Sequence, residues 1–359
     1  MSAPPSPDLA GLERHELEAL VAEAGLPAFR GRQVFRWIWK KGEADLERMT
    51  DLPRDLRTRL AESTVIRTPT VLEHEISEDR TRKLVLGLAD RRRIECVFIP
   101  DTPSQTFCVS TQVGCAMGCA FCLTGKMGLV RHLTAGEIAG QVRVLLRELD
   151  RLGQPFNIVL MGMGEPLHNY DQTMKALRIL NDPQGLALSP KRVTLSTVGL
   201  VPMLDRLAQE PLMPNLAVSL HAATEEQRAA IVPPAKKYSL AEIIEACRRF
   251  PLPRRGRITF EYVLLQDVND RPEDARRLAK LLAGLKAKVN LLPLNAAPGI
   301  PFERPSDARV DAFAAILAER DVTVMVRRSR GRDIRAACGQ LIVDGPQRSA
   351  AQQLAARLS

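Results

Sequence analysis

The sequence predicts an α/β protein, a partial (β/α)6 barrel preceded by a small helical N-terminal domain. Two observations predict this class. From Phe107 onward, short apolar strands alternate six times with amphipathic helices, without a long low-complexity insert. Upstream, residues 11–64 have a helical pattern that Gly25-Leu26-Pro27 and Gly42 interrupt. Because eight strand–helix units would need more chain, we expect an incomplete barrel with its chemistry on loops at the carboxyl ends of the strands.

The N-terminal helices carry a local excess of basic residues. Residues 30–59 contain nine Lys or Arg against five acidic residues, and Phe35, Trp37 and Trp39 lie among them. Charge runs of this kind often only solvate a helical face over a small core, but they also form surfaces that contact nucleic acid. Both interpretations stay open at the level of the sequence.

The pattern changes after Ser63 from helical to alternating. The segments with alternating, β-branched residues are 65–72, 83–88 and 94–99. We therefore divide the chain into an N-terminal domain with a short β linker at 1–95, a barrel at 96–345 and a tail at 346–359.

The barrel segment contains clear strand and helix signals. Thr134 with Glu137, and Ser239 with Glu242, have the spacing of capping boxes and predict two helix starts. The predicted core strands are Thr106–Ser110, Asn157–Met161, Arg192–Ser196, Asn215–Leu220, Arg257–Leu265, Lys288–Leu294 and Val322–Arg327.

Composition limits the partners and the compartment. The chain has 359 residues, 45% of them hydrophobic, and 51 Lys plus Arg against 42 Asp plus Glu give a net charge of +9. We expect a polyanionic partner, RNA or DNA, rather than a membrane, because no apolar run is as long as a spanning helix. Aromatic residues make up only 4%, which argues against recognition mainly by base stacking. Residues 1–10 lack a secretory pattern, so a cytoplasmic protein is expected.

The cysteine spacing is the strongest chemical signal. Cys115, Cys119 and Cys122 form a C-x-x-x-C-x-x-C motif after the first core strand. Three thiolates on one loop can bind a [4Fe–4S] cluster, and because such a cluster normally takes four cysteines, one iron stays open. A zinc knuckle with Cys108 as fourth ligand is the alternative, although zinc sites usually use two separated cysteine pairs.

This motif resembles the radical S-adenosylmethionine (SAM) superfamily, in which the open iron binds the amino and carboxylate groups of SAM. Other polar segments at predicted strand ends fit the same resemblance. A Gly-rich turn with a carboxylate, able to grip an ammonium group, follows the second strand, and small polar residues follow later ones. The expected SAM-binding residues are Gly164, Glu165, Ser196, Ser219, Leu220, His221 and Asn295.

The resemblance narrows to the RlmN/Cfr family of RNA adenine methyltransferases over about Leu26 to Leu341. It rests on Glu95 in Ile-Glu-Cys-Val-Phe-Ile-Pro, Cys108 in Phe-Cys-Val-Ser-Thr-Gln-Val-Gly-Cys and Cys338 in Ala-Ala-Cys-Gly-Gln-Leu, together with the Met161–Asn169 segment. The chain departs from the family at Ala296-Ala297, where family members have Pro after the Asn equivalent to Asn295. The local loop is therefore expected to differ.

The resemblance implies a methyl-cysteine relay that uses two SAM per turnover. It would place methyl groups on C2 of adenosine 2503 in 23S rRNA and of adenosine 37 in a subset of tRNAs. Cys338 would take a methyl group, Glu95 would remove the C2 proton, and Cys108 would resolve the adduct through a transient disulfide with Cys338. Nearby arginines are expected to lower the pKa of the Cys338 thiol. These are Arg327, Arg328, Arg330, Arg332 and Arg335.

Two other functions stay open from the residues alone. One is C8 methylation of the same ribosomal adenine, as in Cfr. The other is a non-catalytic RNA-binding protein with a structural zinc or iron–sulfur site. For the relay, we expect an electron donor such as flavodoxin or ferredoxin, a monomer, and an RNA target that is flipped out of its helix or lies in a loop or in unfolded RNA. Cys96 and Cys247 match no role and are expected to be structural.

Overall fold

The computed structural model describes residues 6–100 and 104–343, so the predicted tail at 346–359 lies outside the described residues. The strands are β1 (Thr70–Ile76), β2 (Arg82–Gly87), β3 (Arg93–Ile99), β4 (Thr106–Cys108), β5 (Gln112–Gly114), β6 (Leu129–His132), β7 (Asn157–Leu160), β8 (Val193–Thr197), β9 (Asn215–Ser219), β10 (Ile258–Leu264), β11 (Ala287–Pro293) and β12 (Thr323–Val326). The helices are α1 (Arg14–Glu23), α2 (Phe29–Trp39), α3 (Arg54–Ser63), α4 (Leu123–Lys126), α5 (Ala135–Glu148), α6 (Tyr170–Asn181), α7 (Val201–Leu207), α8 (Glu225–Ile231), α9 (Leu240–Arg249), α10 (Pro272–Leu281) and α11 (Asp307–Ala318).

Ten of these strands form one sheet in the order β1-β2-β3-β4-β7-β8-β9-β10-β11-β12, and β5 and β6 form a separate hairpin. All pairs from β4 to β12 in this sheet are parallel, whereas β1, β2 and β3 add an antiparallel meander at the β4 edge. Across the described residues, β1 and β12 are edge strands that do not pair with each other. The predicted partial barrel is therefore confirmed.

The local signals explain why the barrel forms. Both predicted capping boxes are present, at the starts of α5 and α9. All seven residues of β10 are buried, as expected for a parallel strand covered on both faces. The seven predicted core strands are confirmed to within a few residues at their ends.

The predicted strand at 65–72 is displaced. The backbone of Val65 bonds to Pro7 and Leu9 instead, and β1 begins only at Thr70. Pro69 lacks an N–H and cannot donate to a strand ladder, so the strand starts after it.

The N-terminal helices pack on the barrel through α6. Three ion pairs join the two parts: Arg14 to Asp182 at 2.9 Å, Lys175 to Glu16 at 2.7 Å and Arg178 to Glu13 at 2.8 Å. These pairs fix the position of α1 relative to the sheet.

The aromatic residues of α2 divide between core and surface. Phe35 and Trp39 are buried, so they stabilise the small helical core and are not exposed for base stacking. Trp37 is half-buried; its indole N–H donates to Asp51 at 2.5 Å, and the Lys41 ammonium lies 3.2 Å from the ring centroid. Arg32, Arg36 and Lys40 are exposed at i, i+4 and i+8, so they form one basic stripe along α2.

Among the helices of residues 6–100 and 104–343, none combines the length and the apolar character that a membrane-spanning helix requires.

Candidate active site

A cavity opens at the carboxyl ends of the parallel strands, where barrel chemistry is expected. Its wall contains most of the predicted site residues. These are Cys115, Cys119, Cys122, Gly164, Glu165, Ser196, Ser219, His221, Asn295 and Cys338. Leu220, Cys108 and Glu95 lie outside this wall. One cavity therefore joins the cysteine loop to the ends of several strands, and we call it the central cavity.

The cysteine loop follows β5, the first strand of the small hairpin. Gly114 has a φ of +74°, and a Cβ there would overlap the carbonyl oxygen of Gly128, so the loop needs glycine at this position. The other end of the loop rests on α8, because the N–H of Ala120 donates to the carbonyl of Ile231 at 2.9 Å. These contacts hold the three cysteines on one side of the cavity.

The three thiols lie together on the wall of the central cavity. Three thiols on one loop are the soft donor set that an iron–sulfur cluster takes. Burial raises the pKa of all three, that of Cys115 to about 12, so a bound metal would have to displace their protons. Cys108, the fourth ligand of the zinc alternative, is not on this wall.

The Gly-rich turn after β7 is braced by Glu165. This buried carboxylate accepts the N–H of Leu167 at 3.0 Å and that of Val198 at 2.9 Å, while its own N–H donates to Gln112 at 2.9 Å. Burial raises the pKa of the Glu165 carboxyl to about 7. Because both carboxylate oxygens bind backbone, Glu165 joins the loops after β7 and β8, and the backbone around Gly164 faces the cavity.

The hydroxyls of Ser196 and Ser219 lie 3.3 Å apart at the ends of β8 and β9. They face the cavity together and can bind one polar ligand group. The next residue, Leu220, is buried, and its N–H donates to the Glu261 carbonyl at 3.0 Å. Its side chain therefore belongs to the core, and only its neighbours reach the cavity.

His221 is held as a neutral ring. Its Nδ1 accepts the N–H of Val263 at 3.0 Å, which leaves the ring proton on Nε2. Burial and the nearby Arg228 cation lower the pKa of His221 to about 3. The ring lies edge-on to Phe121, with centroids 4.7 Å apart, and the residue has a positive φ of 62°. His221 can therefore offer the cavity a neutral donor that is rigidly oriented.

Cys338 lies on a C-terminal segment (residues 331–343) that covers one side of the cavity. Its carbonyl accepts the side-chain amide of Asn295 at 3.2 Å, and the side chain of Gln340 donates to the carbonyl of Ala296 at 2.9 Å. The carbonyl of Gly339 accepts the N–H of Leu123, beside the cysteine loop, at 2.8 Å. Ala296, where the sequence departs from the family pattern, thus lies in the loop after β11 that binds the segment with Cys338.

The predicted lowering of the Cys338 pKa is wrong. Cys338 is an exposed residue, but the protein atoms packed around its thiol raise the pKa, and the Arg327 guanidinium only partly opposes that rise. Arg327 also lies on the cavity wall, whereas the other arginines of the run do not. Desolvation therefore dominates over the charge of one guanidinium.

Cys108 is buried on β4, next to the cavity wall. The backbone N–H of Met161 interacts with its thiol, and Cys338 and Arg327 act on it electrostatically. Burial raises the pKa of Cys108 to about 12. Cys108 and Cys338 therefore lie close enough to influence each other, and both are free thiols.

Glu95 lies in a second cavity between the β1–β3 meander and the C-terminal segment. One of its oxygens accepts the N–H of Ile342 at 2.7 Å, and the other lies 3.3 Å from the ammonium of Lys83. Lys83 also pairs with the half-exposed Glu75 at 3.0 Å. Burial raises the pKa of Glu95 to about 7 even though Lys83 opposes that rise.

Sequence reasoning missed several residues at the site. Gln112 is fully buried, and its amide group contacts His132 and His168 while its oxygen holds Glu165. Glu261 lines the central cavity and accepts from Asn290 at 2.9 Å. The only sequence signal for Glu261 is that it is an acidic residue within an otherwise apolar strand.

Fold and cavity together define a class. An open parallel barrel with three cysteines of one loop facing polar strand ends has the architecture of a radical SAM protein. The family model of the Radical SAM superfamily matches residues 109–279, and that of the ribosomal RNA large subunit methyltransferase N-terminal domain matches residues 7–66. The superfamily implies a [4Fe–4S] cluster and SAM.

Similar proteins narrow the class. The chain is 49% identical to the dual-specificity RNA methyltransferase RlmN of Anaeromyxobacter dehalogenans, covering 97% of this chain and 96% of that protein. It is also 49% identical to RlmN of Syntrophobacter fumaroxidans, over 92% of this chain and 96% of that one. A radical SAM methyltransferase structure from Sphaerobacter thermophilus matches with a TM-score of 0.89 and 45% identity, covering 93% of this chain and 99% of that one. The chain belongs to the RlmN family of radical SAM methyltransferases.

Proposed function

We propose that this chain methylates C2 of adenine in 23S rRNA and in a subset of tRNAs through a methyl-cysteine relay. One observation carries the proposal. Cys338 lies on the same cavity wall as Cys115, Cys119 and Cys122, and the thiol of Cys108 meets the backbone N–H of Met161 on that wall. This arrangement supports a methyl carrier and a resolving thiol beside the loop that would hold the cluster.

In this proposal each cysteine has a separate task. Cys115, Cys119 and Cys122 would hold the cluster, which with bound SAM would supply the radical that takes a hydrogen atom from an S-methyl group on Cys338. The resulting carbon radical would bond to C2 of the base, Glu95 would take the C2 proton, and one electron would pass to a one-electron acceptor. The Cys108 thiolate would then attack the Cys338 sulfur: the S–S bond forms, and the electron pair of the broken S–C bond stays with the transferred carbon, which takes up a proton and becomes the methyl group.

Glu95 is the proposed base for the C2 proton. Its raised pKa suits proton removal near neutral pH. Its carboxylate is occupied by Ile342 and Lys83, so the C-terminal segment has to release it before it can reach the adenine. We therefore propose that binding of the base and movement of this segment are coupled.

The SAM ligands in this proposal are the backbone of the Gly-rich turn, Ser196, Ser219, His221 and Asn295. The two hydroxyls and the Nε2–H of His221 provide neutral hydrogen-bond partners for a charged, polar cofactor. Glu165 would act through the backbone that it holds. Leu220 would contribute only its main chain, because its side chain is buried.

The RNA partner is supported by the names of the relatives and by the basic stripe on α2. We propose that the enzyme works in the cytoplasm as a monomer and receives electrons from a flavodoxin or ferredoxin. An adenine inside a helix is inaccessible to the cavity, so the target would be flipped or unpaired.

The test is anaerobic reconstitution with iron and sulfide, followed by nucleoside analysis of RNA incubated with SAM and a reductant. We expect 2-methyladenosine; 8-methyladenosine would indicate Cfr-type chemistry instead. A protein that binds zinc and does not consume SAM would contradict an enzymatic function.

The relay has its own test. Cys108→Ala should accumulate protein covalently joined to RNA, whereas Cys338→Ala should give neither adduct nor product. Gel analysis of denatured protein–RNA mixtures separates the two outcomes. Cys247→Ala is the matched control, because this thiol is buried on α9, away from the cavity wall. Normal turnover by either relay variant would eliminate the relay.

A further inference from the structure

Arg228 of α8 is a fully buried cation without a close acidic partner. Its guanidinium donates to three backbone carbonyls, those of Leu220 at 3.2 Å, Tyr238 at 3.4 Å and Val198 at 2.6 Å. Within the described part of the chain, no carboxylate lies within 4.0 Å of it, although Glu225 acts on it from farther away. The carbonyls give each of its three nitrogens a hydrogen-bond acceptor but leave its positive charge uncompensated.

The cysteine loop lies directly against the helix that carries this cation. Ile231, one turn after Arg228, accepts the N–H of Ala120, and Ile231 and Cys119 belong to the same buried hydrophobic cluster. Val198, whose carbonyl accepts the guanidinium at 2.6 Å, belongs to that cluster as well. The positive charge therefore lies beside the loop that we assign to the iron–sulfur cluster.

Burial of an unpaired charge costs several kcal/mol, so such a residue persists where an opposite charge compensates it. Burial lowers the pKa of Arg228 to about 10, which still leaves the side chain protonated at neutral pH. A cluster bound by three thiolates carries net negative charge, and each added electron makes it more negative by one charge. Net charge is one of the properties that set cluster reduction potentials.

We propose that Arg228 is the counter-ion of the cluster: it favours the reduced state and so raises the cluster's reduction potential. The proposal rests on the cluster assigned above to Cys115, Cys119 and Cys122. In the step concerned, one electron passes from a low-potential one-electron carrier to the cluster. No covalent bond forms or breaks, and Arg228 keeps its proton.

The same bonds give Arg228 a positioning role. It joins the loop after β8, at Val198, to the loop after β9, at Leu220. Val198 is also held by Glu165, and Leu220 lies between Ser219 and His221. An effect on charge therefore has to be separated from an effect on loop structure.

The experiment measures the midpoint potential of the reconstituted holoenzyme by redox titration, with electron paramagnetic resonance of the reduced cluster as the signal. We expect Arg228→Met to move the potential to more negative values and to lower the reduced fraction at a fixed poised potential. Arg228→Lys keeps the charge, so its midpoint potential should lie close to that of the wild type.

Arg143→Met is the matched control. Arg143 is also a buried arginine that donates to a backbone carbonyl, that of Arg67 at 2.7 Å, and burial lowers its pKa to about 10 as well. It lies under Trp39 and near Asp8, away from the central cavity. Its replacement should leave the cluster potential unchanged.

An unchanged potential in Arg228→Met with a full iron content would overturn the proposal. If that variant does not hold a cluster, Arg228→Gln, which keeps hydrogen-bond donors without the charge, is measured instead. If neither neutral variant holds one, Arg228→Lys decides: a wild-type potential supports the charge role, and a strongly lowered potential rejects it. A wild-type protein that never binds a cluster would instead refute the proposed function.

Discussion

At the residue scale, the most informative side chain is Glu95, because burial and one cation act on its protonation in opposite directions. The sequence alone does not show that this carboxylate, in the strand Arg93–Ile99, is buried. In the structure it is almost fully buried, and Lys83 is its only cationic contact within the described residues. Burial and an opposite charge thus act on its pKa in opposite directions.

Replacing Lys83 with Met should raise the pKa of Glu95 further above 7, because the opposing charge is removed while burial stays. The ionised form is the proposed base, so activity is lost as the pH falls through the pKa. The acidic limb of the pH–rate profile should therefore move to higher pH. The measurement is kcat/KM for RNA methylation against pH.

Lys83→Arg is the control, since it keeps the cation and should leave the limb close to its wild-type position. A profile in Lys83→Met that coincides with that of the wild type would show that Glu95 does not limit the rate as a base.

At the element scale, the cysteine loop depends on how closely it approaches neighbouring backbone. Gly114 and Gly118 both have positive φ, yet their surroundings differ. A Cβ at Gly114 would overlap the Gly128 carbonyl, whereas one at Gly118 would meet only Pro233, at 3.6 Å.

Gly114→Ala should therefore reduce stability and cluster content strongly, because β5 and β6 would have to separate. Gly118→Ala should cost only the left-handed backbone conformation, roughly 1–2 kcal/mol. Thermal unfolding and iron content per protein measure both effects. Equal losses in the two variants would mean that backbone conformation, rather than the close approach of Gly128, determines the loop.

The elements also show how much of this structure can be predicted from the sequence. The core strands, the capping boxes and the cysteine loop were predictable, because hydrophobic periodicity and ligand spacing are local properties. The buried Arg228 was not, since α8 begins with Thr-Glu-Glu-Gln, which is typical of a solvated helix. Its guanidinium is held by carbonyls 8, 10 and 30 residues away along the chain, in loops that only the fold brings to one place.

Similar limits apply to the aromatic residues of α2 and to Cys338. The sequence leaves open whether the segment with Phe35 and Trp39 covers a small core or contacts nucleic acid, and only the fold places these two side chains in the core. The predicted direction of the Cys338 pKa is wrong because the sequence shows nearby arginines but not the desolvation of the thiol that outweighs them.

At the scale of the whole molecule, positive charge is distributed unevenly. The stripe Arg32, Arg36 and Lys40 lies on the N-terminal helices, while Arg254, Arg255 and Lys286 lie at the amino ends of β10 and β11, opposite the central cavity. Both groups are exposed, and each contributes three positive charges to the net charge of the protein.

We expect Gln substitutions at Arg32, Arg36 and Lys40 together to weaken RNA binding at all sequences. The slope of log K against log salt concentration should become shallower by about 0.7–0.9 for each phosphate that the stripe no longer neutralises. The equivalent triple substitution of Arg254, Arg255 and Lys286 removes the same charge from the opposite end. If both variants bind RNA with equally reduced affinity, net charge rather than the stripe governs binding. Filter binding over a salt series provides the measurement.

The C-terminal segment is attached to the barrel through its main chain: Asn295 holds the carbonyl of Cys338, Thr124 that of Leu341 at 2.6 Å, and Glu95 the N–H of Ile342. None of these bonds involves the Cys338 sulfur. The anchoring is therefore indifferent to whether that atom is a free thiol, a thioether or half of a disulfide. In the proposed cycle, the bonds from Asn295 and Thr124 can therefore persist while the chemical state of the sulfur changes, and only the bond between Glu95 and Ile342 has to open when the adenine binds.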